Sequence, residues 1–547
     1  MTHQVINQPP PLDSYDLYRT DRVLMEGLAR EGAGFGEDRV AAFGVEMGRS
    51  ETRELGRLAN RNTPELRTHD RFGHRIDQVE FDPAWHEVMR TAMAHELHCL
   101  PWRHAEPGAH VARNAMTYML AQIEAGSGCP ITMAFACVPT LRQQPDVAAE
   151  WEPRILETEY DPRDRPAPEK RSVLIGMAMT EKQGGSDVRA NTTRATPLGR
   201  PGSGQAYTLV GHKWFCSAPF CDAFLTLAKT EEDRLSCFLV PRWRPDGTRN
   251  PIHLQRLKDK LGNRSNASAE IEYPGTWAVL IGEEGRGVRT IIEMVHHTRL
   301  DCVAGSAGLM RQAIAQAAYH ARFRTAFGHK LQDQPLMQNV LTDLALESEA
   351  ATTLMLRLSR SYDERPHDAA QNAFARIATA VAKYWVCKRA PHMVYEAMEC
   401  LGGNGYVEES ILPRIFREAP VNAIWEGSGN VICLDVLRAM VREPETLPAF
   451  LDELRLARGG DARLDAGVAE LEKELADPAD AELRARRVVE HMAVLLQASL
   501  LVRHAPSSVA EAFSASRLAR DAGLCFGTLP AGTPLRELIE RATPVPA

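Results

Sequence analysis

Several stretches of this 547-residue chain carry side chains whose types and spacing suit chemistry. The first is NAIWEGSGN (422–430), where one carboxylate, Glu426, lies between Trp425 and a Gly-Ser-Gly turn. An indole and a peptide turn desolvate a carboxylate, which moves it toward the range of a general base. The second is MAMTEKQGGSDV (177–188), a strand ending in a hydroxyl and a carboxylate. The turn after it offers backbone N–H groups and Ser186, which can hold a phosphate or the polar edge of a planar ring. GHKWFCS (211–217) puts aromatic side chains on one strand with a small hydroxyl, and RFRTAFG (322–328) with Gln334 ends a helix in a basic cluster. LGGNGY (401–406) is a glycine-rich turn. Each has a plainer alternative when taken singly: a core strand, a solvated turn, a salt-bridged helix end or a helix-start glutamate.

Other patterns fail on spacing. His95 and His98 stand three apart, not the four that place two zinc ligands on one helix face, so no metal site is expected. GRPGSG (199–204) lacks the Lys-Ser/Thr ending of a phosphate loop, and GEEGRG (282–287) lies outside any βαβ unit.

The elements that must position these residues change texture along the chain. Residues 1–170 have apolar residues at helical spacing, such as Trp85, Val88, Met89, Ala92 and Met93, and end in a proline-rich charged loop. Residues 171–287 carry short runs (173–177, 206–210, 223–227, 237–240 and 269–273) broken by Gly, Pro, Asn and Asp. Strands without intervening helices predict an antiparallel sheet or barrel. Helical periodicity returns over 289–325, 335–362 and 370–401, with Pro391 expected to kink or restart the third stretch. In 443–547, Ala485, Val488, Val489, Met492, Leu495, Leu496, Ser499 and Val502 mark one amphipathic face.

The net charge of −8 gives no global attraction to nucleic acid or an anionic membrane. By segment it is −8 over 1–170, +4 over 171–287, +1 over 288–442 and −5 over 443–547. Candidate basic patches in the last segment are Arg484, Arg486 and Arg487, and Arg517 with Arg520. No apolar run of membrane-spanning length and no basic-then-apolar leader is seen, and the eleven cysteines contain no Cys-x-x-Cys pair. The expectation is a cytoplasmic protein with free thiols, bound to no membrane.

Taken in order, these motifs resemble the acyl-CoA dehydrogenase family, over about residues 100–442, with GSGCPITM (126–133), KLG (260–262) and LIGEEGRG (280–287) also in family order. The run LKDKLGNRSNAS (257–268), the MTEKQGGSD turn, IWEGSGN (424–430) and the extra tail resemble its AidB branch, which is associated with the bacterial response to DNA alkylation. The resemblance implies an α+β, mostly α, acyl-CoA dehydrogenase-like fold. It would have an N-terminal α domain (1–170), a middle β-barrel (171–287), an FAD-binding catalytic α-helical domain (288–442) and an additional C-terminal helical domain (443–547), assembled as a homotetramer.

The cofactor implied is FAD. Met177, Ala178, Met179, Thr180, Glu181, Gly184, Gly185 and Ser186 match the strand and turn that contact the isoalloxazine, and Phe215, Cys216 and Ser217 the segment beside the reactive flavin edge. Arg324, Phe327, Leu401, Gly402, Gly403 and Gly405 match groups that reach a neighbouring subunit's FAD. Ile424, Trp425, Gly427, Ser428, Gly429, Asn430 and Leu434 match a second flavin-contacting segment. Glu426 aligns with the family's catalytic base, Arg299 with a helix arginine near it, and Thr298 occupies the position where one subgroup carries its base.

The implied reaction is α,β-dehydrogenation of an acyl-CoA or similar thioester, with hydride transfer to flavin N5 and an electron-transfer flavoprotein as acceptor. The alternative is a flavoprotein that binds double-stranded DNA and protects it, with little or no acyl-CoA turnover. Three departures stand out: Lys182 and Gln183 replace the usual Pro-Gly, Trp425 replaces a common tyrosine, and Gln334 falls one residue earlier than the family's glutamine.

Overall fold

The computed structural model describes residues 2–519 and 521–546. Two compact units form, and neither is continuous: one comprises Met1–Ser50, Glu106–Ile123 and Arg299–Ala547, the other Glu51–Ala105 and Glu124–Thr298. Residues 1–170 are shared between the units, while 299–442 and the tail belong to one.

The unit containing 124–298 is built on seven strands: β1 (Ile175–Ala178), β2 (Arg194–Pro197), β3 (Ala206–Ser217), β4 (Ala223–Lys229), β5 (Leu235–Pro241), β6 (His253–Leu257) and β7 (Ser268–Ile281). Pairing runs β4–β2–β3–β7–β5 and returns from β5 to β4, which closes a barrel; β1 adds to β4 and β6 to β7. Closure removes free edges from that circuit. Most pairings are antiparallel as expected, but β1 and β2 both run parallel to β4. A parallel neighbour arrives by a crossover and not a hairpin, so local strand texture does not reveal it. An additional antiparallel pair, Glu65–His69 with Arg75–Glu80, lies in the stretch expected to be all helical.

Two bulges bend β3. Leu209 pairs with Thr276 but Val210 with Pro274, and Lys213 pairs with Ile271 but Cys216 with Ala269. The second inserts one extra residue into β3 at Trp214 and Phe215, which twists the strand and re-aims those side chains.

The other unit is helical. Its elements include α1 (Ala109–Ile123), the part of α2 (Gly287–Phe323) from Arg299 onward, α3 (Pro335–Glu364), α4 (Ala369–Cys400) and α5 (Gly429–Arg442). The tail adds α6 (Thr446–Arg455), α7 (Ala462–Ala476) and α8 (Ala481–His504). Every residue of α1 is buried, so it is a core helix rather than an amphipathic surface one. The expected face of α8 is also buried from Ala485 to Ser499, with Val502 half-buried against Gly460. That face packs on α3, α4 and α5.

Pro391 does not restart its helix: α4 runs unbroken from Ala369 to Cys400. Cys387, Ala390, Met393 and Val394 around it are fully buried, and this packing outweighs the lost hydrogen bond.

Where α1 crosses α2, the backbones nearly touch: a Cβ added to Gly308 would lie 2.2 Å from the Tyr118 carbonyl oxygen. Only glycine permits this approach. Gly308→Val is expected to lower stability by about 3 kcal/mol or more through overpacking, measured as a shift in urea midpoint with unchanged slope. A wild-type midpoint would show that the crossing is loose.

Candidate active site

The barrel unit supplies a turn and a bulged strand. The carboxylate of Glu181 is fully buried and collects donors. Its Oε1 accepts from Lys213 Nζ at 2.8 Å and Thr193 Oγ1 at 2.6 Å, and its Oε2 from the Thr192 N–H at 2.6 Å and Gln183 Nε2 at 2.7 Å. Burial alone would push this carboxyl up, but Lys213 and the surrounding donors hold it at about 2. Burial in turn brings Lys213 down to about 8, against the pull of Glu181. Glu181 therefore anchors the turn from inside, and its side chain is not available to a cofactor.

Around that anchor the Glu181 and Gly184 backbones exchange hydrogen bonds of 3.0 and 3.1 Å, and Asn191 Nδ2 donates to the Met179 carbonyl. Gly185 lies against Thr180, where a Cβ would come within 2.8 Å of the side chain. The Trp214 N–H donates to the Thr180 carbonyl at 2.8 Å, tying turn to bulge. Ala178 and Cys216 face the interior, whereas Phe215 is 47% exposed and Met177, Met179, Thr180 and Ser217 are half-buried. Ser186 is exposed. The outward set is thus Met177, Met179, Thr180, Ser186, Phe215 and Ser217.

The helical unit supplies Glu426, whose backbone is left-handed at φ 58°. A residue with a long side chain enters this region only where its surroundings enforce it. Lys383 of α4 donates to the Trp425 carbonyl at 2.8 Å and also to the Gly427 carbonyl. Arg299 of α2 donates through Nε to the Glu426 carbonyl at 3.0 Å, and through Nη1 to Asp435 of α5 at 2.7 Å. Arg376 also pairs with Asp435, at 3.2 Å. Burial by itself would raise the Asp435 carboxyl, but Arg299 and Arg376 outweigh it and hold it at about 2. Because carbonyl and N–H point oppositely across a trans peptide, drawing the three carbonyls onto cations turns the N–H groups of Glu426, Gly427 and Ser428 to the other side. Arg299 thus touches the backbone of Glu426.

Trp425 is fixed by its Nε1 donating to Asn422 Oδ1 at 3.0 Å, and Asn422 donates to Ser306 Oγ. Ile424 is 65% exposed. Elsewhere in this unit Phe327 and Gly328, both at positive φ, form the two-residue tip of a hairpin pairing Thr325–Ala326 with His329–Lys330. Such a tip wants positive φ at both positions, and a phenylalanine there is strained and 96% exposed. Asn7 braces the hairpin: its amide exchanges hydrogen bonds with the Thr325 backbone, and Arg324 donates to its carbonyl. Gln334 donates to the Ala326 carbonyl at 3.0 Å. In the 401–406 turn, Gly402 has φ 60° and Gly405 presses on the Met398 carbonyl, while Tyr406 is 78% exposed.

The basic patches expected in the tail are largely spent internally. Arg484 donates to the carbonyls of Glu474, Asp477 and Ala479, Arg487 pairs with Glu474, and Arg517 pairs with Asp343 and Glu347. Arg520 lies outside the described residues. A reading from charge alone missed this because unlike charges distant in sequence meet only after folding. It also missed Lys383, though a lone lysine within the apolar run ATAVAKYWV (378–386) was a readable signal.

The residues present fit a planar, partly apolar cofactor. Phe215, Phe327, Tyr406, Ile424 and Leu434 are large apolar side chains left exposed, and each lies in or beside a segment where the family resemblance implies contact with FAD.

Comparison with known proteins agrees. Residues 7–162 match the adaptive response protein AidB N-terminal domain, 176–275 the acyl-CoA dehydrogenase middle domain and 285–441 its C-terminal domain. AidB of Escherichia coli (strain K12) is 48% identical over 514 residues, 94% of each chain. The chain belongs to the acyl-CoA dehydrogenase family, in its AidB branch. Caenorhabditis elegans ACDH-11, solved in complex with C11-CoA, superimposes with a TM-score of 0.85 at 26% identity, covering 100% of this chain and 95% of that one. An acyl-CoA dehydrogenase from Bacillus anthracis complexed with FAD has the same fold, with a TM-score of 0.63 at 17% identity, covering 84% and 81%.

Two outcomes follow from the Glu426 network. Lys383→Met leaves two carbonyls without their donor and is expected to cost about 3 kcal/mol in urea denaturation; an unchanged midpoint would remove the clamp. Asp435 has its carboxyl depressed from 3.8 to about 2. Its contribution to stability is therefore fully present above pH 3.8 and lost as pH falls through about 2. Asp435→Asn should flatten that part of the acid-unfolding curve, and an unaltered acid limb would count against the assignment.

Proposed function

We propose that this chain is an FAD-dependent acyl-CoA dehydrogenase of the AidB type, with Glu426 as its base. The observation that carries the reading is the left-handed Glu426 backbone, its carbonyl and both neighbouring carbonyls drawn onto buried cations. FAD is the cofactor and, when bound, accepts the hydride leaving the β-carbon of the acyl thioester. The Glu426 carboxylate takes the α-proton. The Glu426 N–H, turned away from Lys383, donates to the thioester carbonyl and stabilises the negative charge that develops as the proton leaves. Thr180, Ser217 and Phe215 are the residues of the barrel unit that would hold the flavin, the first two through hydroxyls and the third through apolar contact.

Acyl-CoA as substrate is supported by the C11-CoA held in the ACDH-11 structure. The electrons pass on to an electron-transfer flavoprotein. A homotetramer is supported by the exposed Phe327 and Tyr406 on segments that the family uses between subunits. Among the described residues no helix is long and apolar enough to cross a membrane, and the reading places the protein in the cytoplasm.

The test is anaerobic titration of the purified flavoprotein with acyl-CoAs of graded chain length. Bleaching of the flavin by at least one of them is expected. Glu426→Gln should keep its flavin and slow bleaching by about 100-fold or more, the scale of losing a positioned base. A flavin that no acyl-CoA reduces would overturn the dehydrogenase reading and favour the DNA-protecting alternative.

A further inference from the structure

We propose that Arg486, carried by the tail helix α8, is a positioning residue of the cofactor site: it fixes the Asn430 amide so that only its N–H donors are offered to FAD. This rests on the FAD reading above and on the resemblance that matches Asn430 to a flavin-contacting segment. Arg486 Nε lies 2.7 Å from Asn430 Oδ1. A guanidinium has donors and no acceptor, so the amide atom facing it must be the oxygen. Asn430 Nδ2 is then left to point elsewhere, as a donor for an oxygen acceptor.

The surroundings favour an anionic acceptor. Asn430 is the second residue of the 14-residue helix α5, where the backbone dipole is positive. Ser428 before it makes no side-chain cap to that helix. A Cβ on Gly429 would lie 3.1 Å from Lys388 Cε and 3.4 Å from Arg486 Nη2, so two cationic side chains border the turn. The phosphates of FAD are acceptors of this class.

Among Arg484, Arg486 and Arg487, two are spent on α7 and the loop after it, and Arg486 reaches the flavin segment. Its direction is set by packing, because Ala485, Val488 and Val489 are buried on either side of it. The tail, which the dehydrogenation chemistry does not itself require, thereby becomes a wall of the cofactor site.

The experiment measures FAD release from holoprotein on dilution, by recovery of flavin fluorescence, with melting of each apoprotein as a control for folding. Arg486→Met is expected to release FAD about 10-fold faster, the scale of one lost hydrogen bond, and Arg486→Lys, which keeps a donor, to recover part of that loss. Asn430→Asp is the sharper variant. It pairs with Arg486 as an ion pair, so the apoprotein should melt no lower than wild type. It has no donor left to offer, so FAD should be released at least about 10-fold faster. Asn430→Asp with wild-type release would overturn the proposal. So would Arg486→Met with wild-type release in a background where Asn430→Ala sheds its FAD, and that result would leave the cofactor reading standing. Asn430→Ala with wild-type release would instead remove Asn430 from the cofactor site, and the proposal with it. If Arg486→Met does not fold, Asn430→Asp decides alone.

Discussion

Three successive peptide carbonyls, those of Trp425, Glu426 and Gly427, are held by two buried cations, Lys383 and Arg299. Much of the helical unit is arranged to permit this. Taking two cations out of water costs several kcal/mol each unless donors and counter-charge are met. Asp435 returns the charge, and Arg376 prevents that carboxylate from being neutralised by a proton. The groups come from α2, α4 and α5, so these helices cannot slide past one another without unmaking the clamp. The left-handed backbone at Glu426 is the strained element, and the cations determine where the strain sits.

The barrel solves a similar problem with the charges reversed. There a carboxylate, Glu181, gathers an ammonium, hydroxyls and backbone N–H groups into a buried knot, and the turn outside it takes its shape from that knot. One unit orients peptide N–H groups by pulling on their carbonyls, whereas the other orients a turn by filling its interior. In both, the charged side chain that makes the site does not itself face it. A buried, fully satisfied network of this kind confers a single geometry more than it confers stability.

Much of the architecture was readable from periodicity. The three long helical stretches, the strand-rich middle and the apolar face of α8 follow from the alternation of apolar and polar residues, which reports which side of an element is covered. Glu426 and its glycine-flanked turn stood out only through the order of the motifs and the family they resemble, because taken singly the turn reads equally well as a helix start. Partners were not visible. Nothing local announces that Lys383 meets residues 425 and 427, that Asp435 joins Arg299 to Arg376, or that Glu181 turns inward. Those are meetings of residues far apart in the chain, fixed by packing. A restart at Pro391 is prevented for the same reason: its local tendency is real, but the buried neighbours decide. The parallel pairing of β1 and β2 with β4 likewise depends on how the chain returns.

The interleaving of the two units has a consequence for the order in which the protein is made. Residues 51–105 and 124–298 complete one unit as soon as residue 298 has left the ribosome. The other unit owns the first fifty residues yet cannot close until the chain beyond 299 exists. Asn7 waits 318 positions for Thr325. Through most of translation the helix Arg22–Arg30 therefore carries an apolar face whose partner on α3 is still unmade, a state in which newly made chains are prone to aggregate. The unit that carries Glu426 is begun before the other and finished after it.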